Sequence, residues 1–374
     1  MKRRALFTVG GVAGTLLLCG VVETVVRAAA VAPSARATAA GRAALQPVSP
    51  SASLVPSQYR AIGERIRSEV ERRPHFAPGE ELPVYKLKPV SAGEVQERAA
   101  RLANALLTRS GGGGAISAVA MRRDGDRLSV RSGSVRVRAY LSSGFISVMD
   151  QDRVFKGHCS LGDAEATAIA RRYVAENRVV DLLPGEEMTV AAVKHARSQG
   201  VTVDGHTGAP ELNSAIVVLG RKLGGKPVIG PGAQVVVFLA GSGDVVGLQR
   251  NWREVEPSPA SRVKAKDTAA VSNAVTAKAA RALGGKLPPG QGLAVKRVDF
   301  GYFADGRHRA QSFLQPAYAV HTEVRNGRGP NLANVFLISA GDHELEPLSR
   351  PPQGRAAQER PATPPAPIKD QSSG

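Results

Sequence analysis

Val135-Arg136-Val137-Arg138-Ala139-Tyr140 alternates apolar and polar side chains without a break. Successive side chains of an extended strand point to opposite faces, so Val135 and Val137 go to one side and Arg136 and Arg138 to the other. Strands wet on one side belong to antiparallel sheets packed against a second layer on the other. The neighbouring residues supply both the strands and the layer. Upstream, Ile116 to Met121 reads as a strand, Asp124-Gly125 as a turn and Leu128-Ser129-Val130 as a strand; downstream, Phe145-Ile146-Ser147-Val148 reads as another. Before them, Ser91 and Glu94 form an S-x-x-E capping box, and Val95, Ala99, Leu102 and Leu106 recur at helical steps to make one apolar stripe.

The same order, helix and then strands separated by glycine turns, recurs twice. A second helix is predicted from Asp163 or Gly162 over Ala164 to Asn177, with Ala166, Ile169, Ala170, Tyr173 and Val174 on its stripe. Strands follow at Met188 to His195, Ala215 to Leu219, Gln234 to Leu239 and Val245 to Leu248, with Gly224 to Gly232 and Gly241 to Asp244 as loops. The third copy opens at Asp267, is helical through Val271, Val275, Ala279 and Leu283, and continues with strands near 293–303, 311–324 and 334–339. The fold class is therefore α+β: two or three tandem modules, each a helix packed on an antiparallel sheet.

Residues 1–30 read as an export signal or membrane anchor: Met1-Lys2-Arg3-Arg4 is basic, and Ala5 to Val22 is an uncharged stretch of 18 residues followed by small residues at Ala28-Ala29-Ala30. The pair Arg3-Arg4 allows the twin-arginine route or the general one. Cys19 follows bulky Leu18, which disfavours lipidation there. Residues 31–58 are a flexible spacer rich in Ala, Ser and Pro, and 350–374 are a Pro-rich disordered tail. The three modules are placed at 59–158, 159–258 and 259–349. The expected location is outside the cytoplasm: periplasm, cell surface or medium.

The run R-K-L-G-G-K-P-V-I-G-P-G-A from Arg221 to Ala233, followed by alternating apolar residues and then G-S-G-D-V-V-G-L, resembles PepSY-type and fungalysin/thermolysin-propeptide-like modules. The match rests on Arg221, Gly225, Pro227, Val228, Gly230, Gly232, Asp244, Val245 and Val246, and is best over about 160–255. Asp244 precedes Val245 where the family has glycine, so the last turn departs from its pattern. The resemblance implies a non-catalytic exported protein, since such modules accompany secreted metallopeptidases as propeptides or inhibitors, or serve as regulatory parts of envelope proteins.

Composition fits that class. Hydrophobic residues at 43% and charged residues at 22% exclude disorder throughout and a multispanning membrane protein. Lys and Arg total 50 against 32 Asp and Glu, a net charge of +18. Removing 1–30 takes Lys2, Arg3, Arg4, Arg27 and Glu23, and leaves about +15. Anionic envelope polymers or lipid headgroups are natural neighbours. Nucleic acid is not expected, because aromatics are only 4% and the arginines are spread along the chain.

No catalytic constellation is visible. The H-E-x-x-H helix of zinc peptidases is absent, and in His343-Glu344-Leu345-Glu346-Pro347 a proline stands where the second ligand belongs. His308 and His321 have a chance of meeting across a hairpin, without a third ligand. No G-x-S-x-G elbow occurs, and His158 and Cys159, adjacent on a strand, point apart. Cys159 is read as a buried apolar side chain. No cofactor or metal is expected, and the protein is read as acting by binding. The candidate interface residues are Arg250, Trp252, Arg253, Arg136 and Arg138. Trp252, the single tryptophan, is either an interface anchor flanked by cations or, preferably, a cap over the second module's core. The partner is read as another envelope or secreted protein, or an anionic envelope polymer; inhibition of a secreted metallopeptidase and a structural role in the envelope are the alternatives.

Overall fold

The capping box predicted at Ser91 is formed: Ser91 N donates to Glu94 Oε2 at 2.9 Å and Glu94 N donates to Ser91 Oγ at 3.1 Å. It opens a helix whose stripe of Val95, Ala99, Leu102 and Leu106 is buried against a sheet. The computed structural model describes residues 56–72, 75–110, 114–199, 208–282, 292–325 and 332–348. The signal or anchor at 1–30 with Cys19, nearly all of the spacer at 31–58 and the tail at 350–374 lie outside the described residues.

The described helices are α1 (Pro56–Glu71), α2 (Ala92–Ser110), α3 (Asp163–Glu176) and α4 (Thr268–Ala282). The strands of the amino-terminal half are β1 (Glu81–Leu87), β2 (Arg122–Asp124), β3 (Arg127–Ser132), β4 (Val135–Tyr140), β5 (Phe145–Asp150), β6 (Glu186–Ser198) and β7 (Glu211–Leu223). Those that follow are β8 (Lys226–Ile229), β9 (Ala233–Ala240), β10 (Val245–Trp252), β11 (Val255–Lys264), β12 (Gly292–Phe303), β13 (Phe313–Arg325) and β14 (Leu332–Ser339). All belong to one sheet of order β11-β1-β13-β12-β8-β7-β9-β10-β5-β4-β3-β2, with β14 beside β13 and β6 beside β7. Every pairing is antiparallel except β8 with β12. The class is α+β, with sheet predominating.

The cores do not follow the three divisions drawn from the sequence. One cluster joins α2 and β3–β5 to α3, β7, β9 and β10, so the stretches 59–158 and 159–258 share an interior. A second cluster joins α1, Phe76 and β1 to β11, α4 and β12–β14. The chain leaves the second group after β1 and returns to it at β11, where β1 and β11 pair from Glu81↔Lys264 to Leu87↔Val255. Two helices back each half, and each large aliphatic side chain they bury contributes about 1.5–3 kcal/mol.

Three local expectations are corrected. Ile116 to Met121 is not a strand but a 3₁₀ turn at Ala118–Ala120, with Ile116 and Met121 buried at its ends and Val119 exposed. Pro56 to Gln58 of the expected spacer are already helical in α1. The glycine-rich connection 224–232 contains a strand, β8, because its backbone groups pair with β7 and, in parallel, with Tyr302 and Phe303 of β12. The glycines flanking β8 have a steric reason: a Cβ on Gly230, whose φ is +95°, would stand 2.4 Å from the Ala304 carbonyl oxygen, and one on Gly232 2.1 Å from that of Asp305. The run that carries the family resemblance is thus where the two halves of the sheet meet.

Candidate anion-binding face

In β4, Val135, Val137 and Ala139 are buried in the first core and Arg136, Arg138 and Tyr140 face away from it. Strand β3 repeats the pattern, with Leu128 buried and Arg127, Ser129 and Arg131 outward. Hairpin register then sets Arg131 opposite Arg136, Ser129 opposite Arg138 and Arg127 opposite Tyr140. Strands lie about 4.8 Å apart and alternate residues about 6.6 Å along a strand, so the four arginines form a lattice on one face of the hairpin. The expected wet face exists, and it is a dense cationic one.

Among the described residues none of these four guanidiniums meets a carboxylate. Asp124, opposite Arg127 in register, is exposed and forms no ion pair with it. Burial, together with Arg127 and Arg131, pushes the Arg136 guanidinium below its ordinary value. Burial pushes Arg138 down as well, with Arg136, Arg127 and Arg307 adding to it and Tyr140 opposing. The Nε atoms of Arg127 and Arg138 are buried and without a hydrogen-bond partner. Both effects describe guanidiniums partly withdrawn from water and held close together, with no ion pair to offset them among the described residues.

A loop from the far half of the chain completes the face. Arg307 lies 5.5 Å over the Phe145 ring, its carbonyl accepts a 2.7 Å hydrogen bond from Ser143 Oγ, and its Nε donates to His308 Nε2 at 2.9 Å. The His308 ring meets Tyr140 edge-on at 4.6 Å. Accepting at Nε2 means that His308 is the neutral tautomer, consistent with its downward shift from burial and from Arg307. Arg253 anchors this loop: its Nη2 donates to Gly306 O at 3.0 Å and Arg309 O at 2.5 Å, with Asp305 O at 3.5 Å. Burial lowers the Arg253 guanidinium, opposed by Asp305 and Glu346.

The sequence-predicted residues therefore divide by strand parity. Arg136 and Arg138 stand on the cationic face and Arg253 buttresses it from beneath. Arg250 and Trp252 point the other way, into the first core, each 1% exposed, which removes them as interface residues. Arg250 is held by Val179 O at 2.9 Å, Gly144 O at 3.2 Å and Glu254 Oε1 at 3.0 Å, and burial, aided by Arg98, pushes it down to about 9. Trp252 is a core cap, with the Arg221 guanidinium 5.1 Å from its ring and Arg221 paired with buried Glu186.

His308 and His321 do not meet across the hairpin. His321 Nε2 donates to Asp299 Oδ2 at 3.0 Å, and Arg297 Nη2 joins the same oxygen at 2.8 Å. Cys159 is buried in the first core, 1% exposed. Among the described residues no group of three His, Cys, Asp or Glu side chains is arranged to hold a metal ion, and no helix is long and apolar enough to cross a membrane. The arginines missed in the sequence were Arg127, Arg131 and Arg307. The first two were legible, since Arg127-x-Ser129-x-Arg131 shares the period of β4 across Ser132-Gly133-Ser134; Arg307 had no local signal.

No family model matches the chain, and no curated protein matches it. Among solved structures the chain is similar to an uncharacterized protein from Eubacterium rectale ATCC 33656, with 10% identity and a TM-score of 0.43 over 76% of this chain and 97% of that one. It is also similar to the Bacillus megaterium YpeB C-terminal domain, with 10% identity and a TM-score of 0.26 over 68% of this chain and 95% of that one.

Proposed function

We propose that this is an exported, non-catalytic binding protein of the cell envelope, built from PepSY-like helix-backed sheet units, whose cationic sheet face holds an anionic ligand. The observation that carries the reading is the lattice of Arg127, Arg131, Arg136 and Arg138, joined by Arg307, in which the four lattice guanidiniums form no ion pair with a carboxylate among the described residues. Folding places like charges directly opposite one another at some cost in stability, and an anion reverses that cost. Guanidinium forks suit carboxylate and phosphate oxygens, which they contact two at a time. The basic, uncharged and small-residue segments of 1–30 support export, and the Arg221–Ala233 run supports the PepSY-like class.

The full chain should bind a soluble polyanion such as poly-L-glutamate in low salt, with affinity falling as ionic strength rises. The double variant Arg136→Ala, Arg138→Ala should weaken binding at least tenfold while the circular dichroism spectrum stays unchanged. Wild-type protein that ignores polyanions in low salt would refute the proposal.

A further inference from the structure

Beside the cationic lattice lies a cavity of about 470 Å³, lined among others by Phe303, Asp305, His308, Arg309, Ala310 and Glu346. Its size is that of a small-molecule site. The two features touch through one residue, because His308, on the cavity wall, is also the ring packed on Tyr140 of the lattice. Their electrostatics differ. The lattice guanidiniums have no ion pair among the described residues, whereas the two carboxylates of the cavity face Arg309 and the buried Arg253 guanidinium, so an anionic group is drawn to the first and a neutral polar one suits the second.

The polar atoms of the cavity wall are of mixed character. Glu346 gives its Oε2 to the backbone amides of Ser312 at 2.7 Å and Phe313 at 3.2 Å, which fixes the carboxylate and leaves Oε1 as an acceptor. Asp305 accepts from Gly306 N at 2.7 Å and stands 3.5 Å from Arg309 Nη1. Because Arg307 occupies His308 Nε2, the neutral ring carries its proton on Nδ1. Fixed acceptors, a guanidinium, an imidazole donor and the Phe303 ring are what neighbouring hydroxyls on an apolar ring skeleton require, since each hydroxyl both donates and accepts.

We infer that cavity and lattice form one composite site for an acidic glycan: the cavity takes a neutral, hydroxyl-rich sugar ring, and the arginines take the anionic groups of adjoining units. This rests on the anionic-ligand reading above and adds the sugar to it. A compact anion uses only half of the site, and so does a neutral sugar. A chain bearing both fits the change from charge-balanced to positive walls across His308.

Three probes that differ in one property each test this by titration calorimetry against the full chain. Polygalacturonate carries carboxylates on sugar rings, poly-L-glutamate carries carboxylates on a peptide backbone, and dextran carries sugar rings without charge. Polygalacturonate should bind at least tenfold tighter than poly-L-glutamate per charge, and dextran more weakly than either. Ala310→Trp, which fills the cavity from an exposed position, should bring polygalacturonate down to the affinity of poly-L-glutamate without changing the latter. Arg309→Ala should narrow the gap in the same direction, and melting curves establish that both variants are folded. Equal or tighter binding of the polypeptide, or a preference for polygalacturonate that survives both substitutions, overturns the composite site and leaves the anion-binding function standing. If neither polyanion binds the wild type, it is the function itself that falls.

Discussion

Arg131 and Arg136 stand directly opposite each other across β3 and β4, two like charges in register on the same side of the hairpin. Such a pair destabilises a sheet by about 0.2–1 kcal/mol relative to a neutral one. Replacing one member with an acid converts repulsion into attraction. Arg131→Glu should therefore unfold at a higher temperature than wild type while binding polyanions more weakly. The gain should shrink in 0.5 M salt, where charges at the surface are screened. A variant that is less stable at low salt contradicts the account of the face as strained for binding.

Trp252 supplies the contrasting case. It is buried in the first core beneath the Arg221 guanidinium and does not reach the cationic face. Trp252→Ala leaves a large cavity there and should cost about 3–5 kcal/mol in denaturant titrations. At low temperature, where the variant remains folded, its affinity for poly-L-glutamate should match wild type. A loss of affinity with little loss of stability would return Trp252 to the interface.

How much of this was legible follows from the range of each interaction. The period of Val135 to Tyr140 is written in adjacent residues, and so is the capping box at Ser91 and Glu94; both are formed. Helix α1 was not seen, because among its described side chains only Ile66 and Val70, four residues apart, are buried among charged neighbours. Strand β8 was read as loop because Pro227 and the flanking glycines carry turn chemistry, while its parallel partner, Tyr302 opposite Val228, lies far along the chain on β12. The contact of Ser143 with the Arg307 carbonyl spans 164 residues, so no periodicity signals that Arg307 joins Arg138. A composition percentage carries no position: aromatics are few, and Tyr140, Phe145 and His308 nevertheless stand together beside Arg307.

Alkaline stability should be governed in part by Tyr318. Burial pushes its phenol up to about 12 and raises Tyr302 as well, while Phe76 packs edge-on against the Tyr318 ring at 5.9 Å. In the unfolded chain a phenol ionises near 10, so above that pH the unfolded state binds fewer protons and folding weakens as pH rises. The contribution is intact below about 10 and is lost towards 12, with a slope of up to about 1.4 kcal/mol per pH unit. Guanidinium midpoints of Tyr318→Phe, followed from pH 9 to 12, should fall less steeply than those of wild type. Parallel curves would show that the buried phenol is not what makes the fold alkali-sensitive.

Gly232 links the junction of the two halves to the site. A Cβ there would press on the Asp305 carbonyl at 2.1 Å and on Ala304, at the start of the loop that Arg253 clamps and that carries Arg307 and His308. Backbone on both sides leaves no flexible side chain to yield, so the loop itself must move; overpacking of this kind costs about 1–3 kcal/mol. Arg127, Arg131, Arg136 and Arg138 lie on a separate hairpin and keep their register. Gly232→Ala should accordingly retain most of its affinity for poly-L-glutamate but lose the preference for polygalacturonate, because the cavity wall is displaced and the lattice is not. Calorimetry with the two polymers distinguishes this from general unfolding, which would abolish both. A variant with both affinities intact would mean that the loop adapts without consequence and that its position against β4 is not what shapes the site.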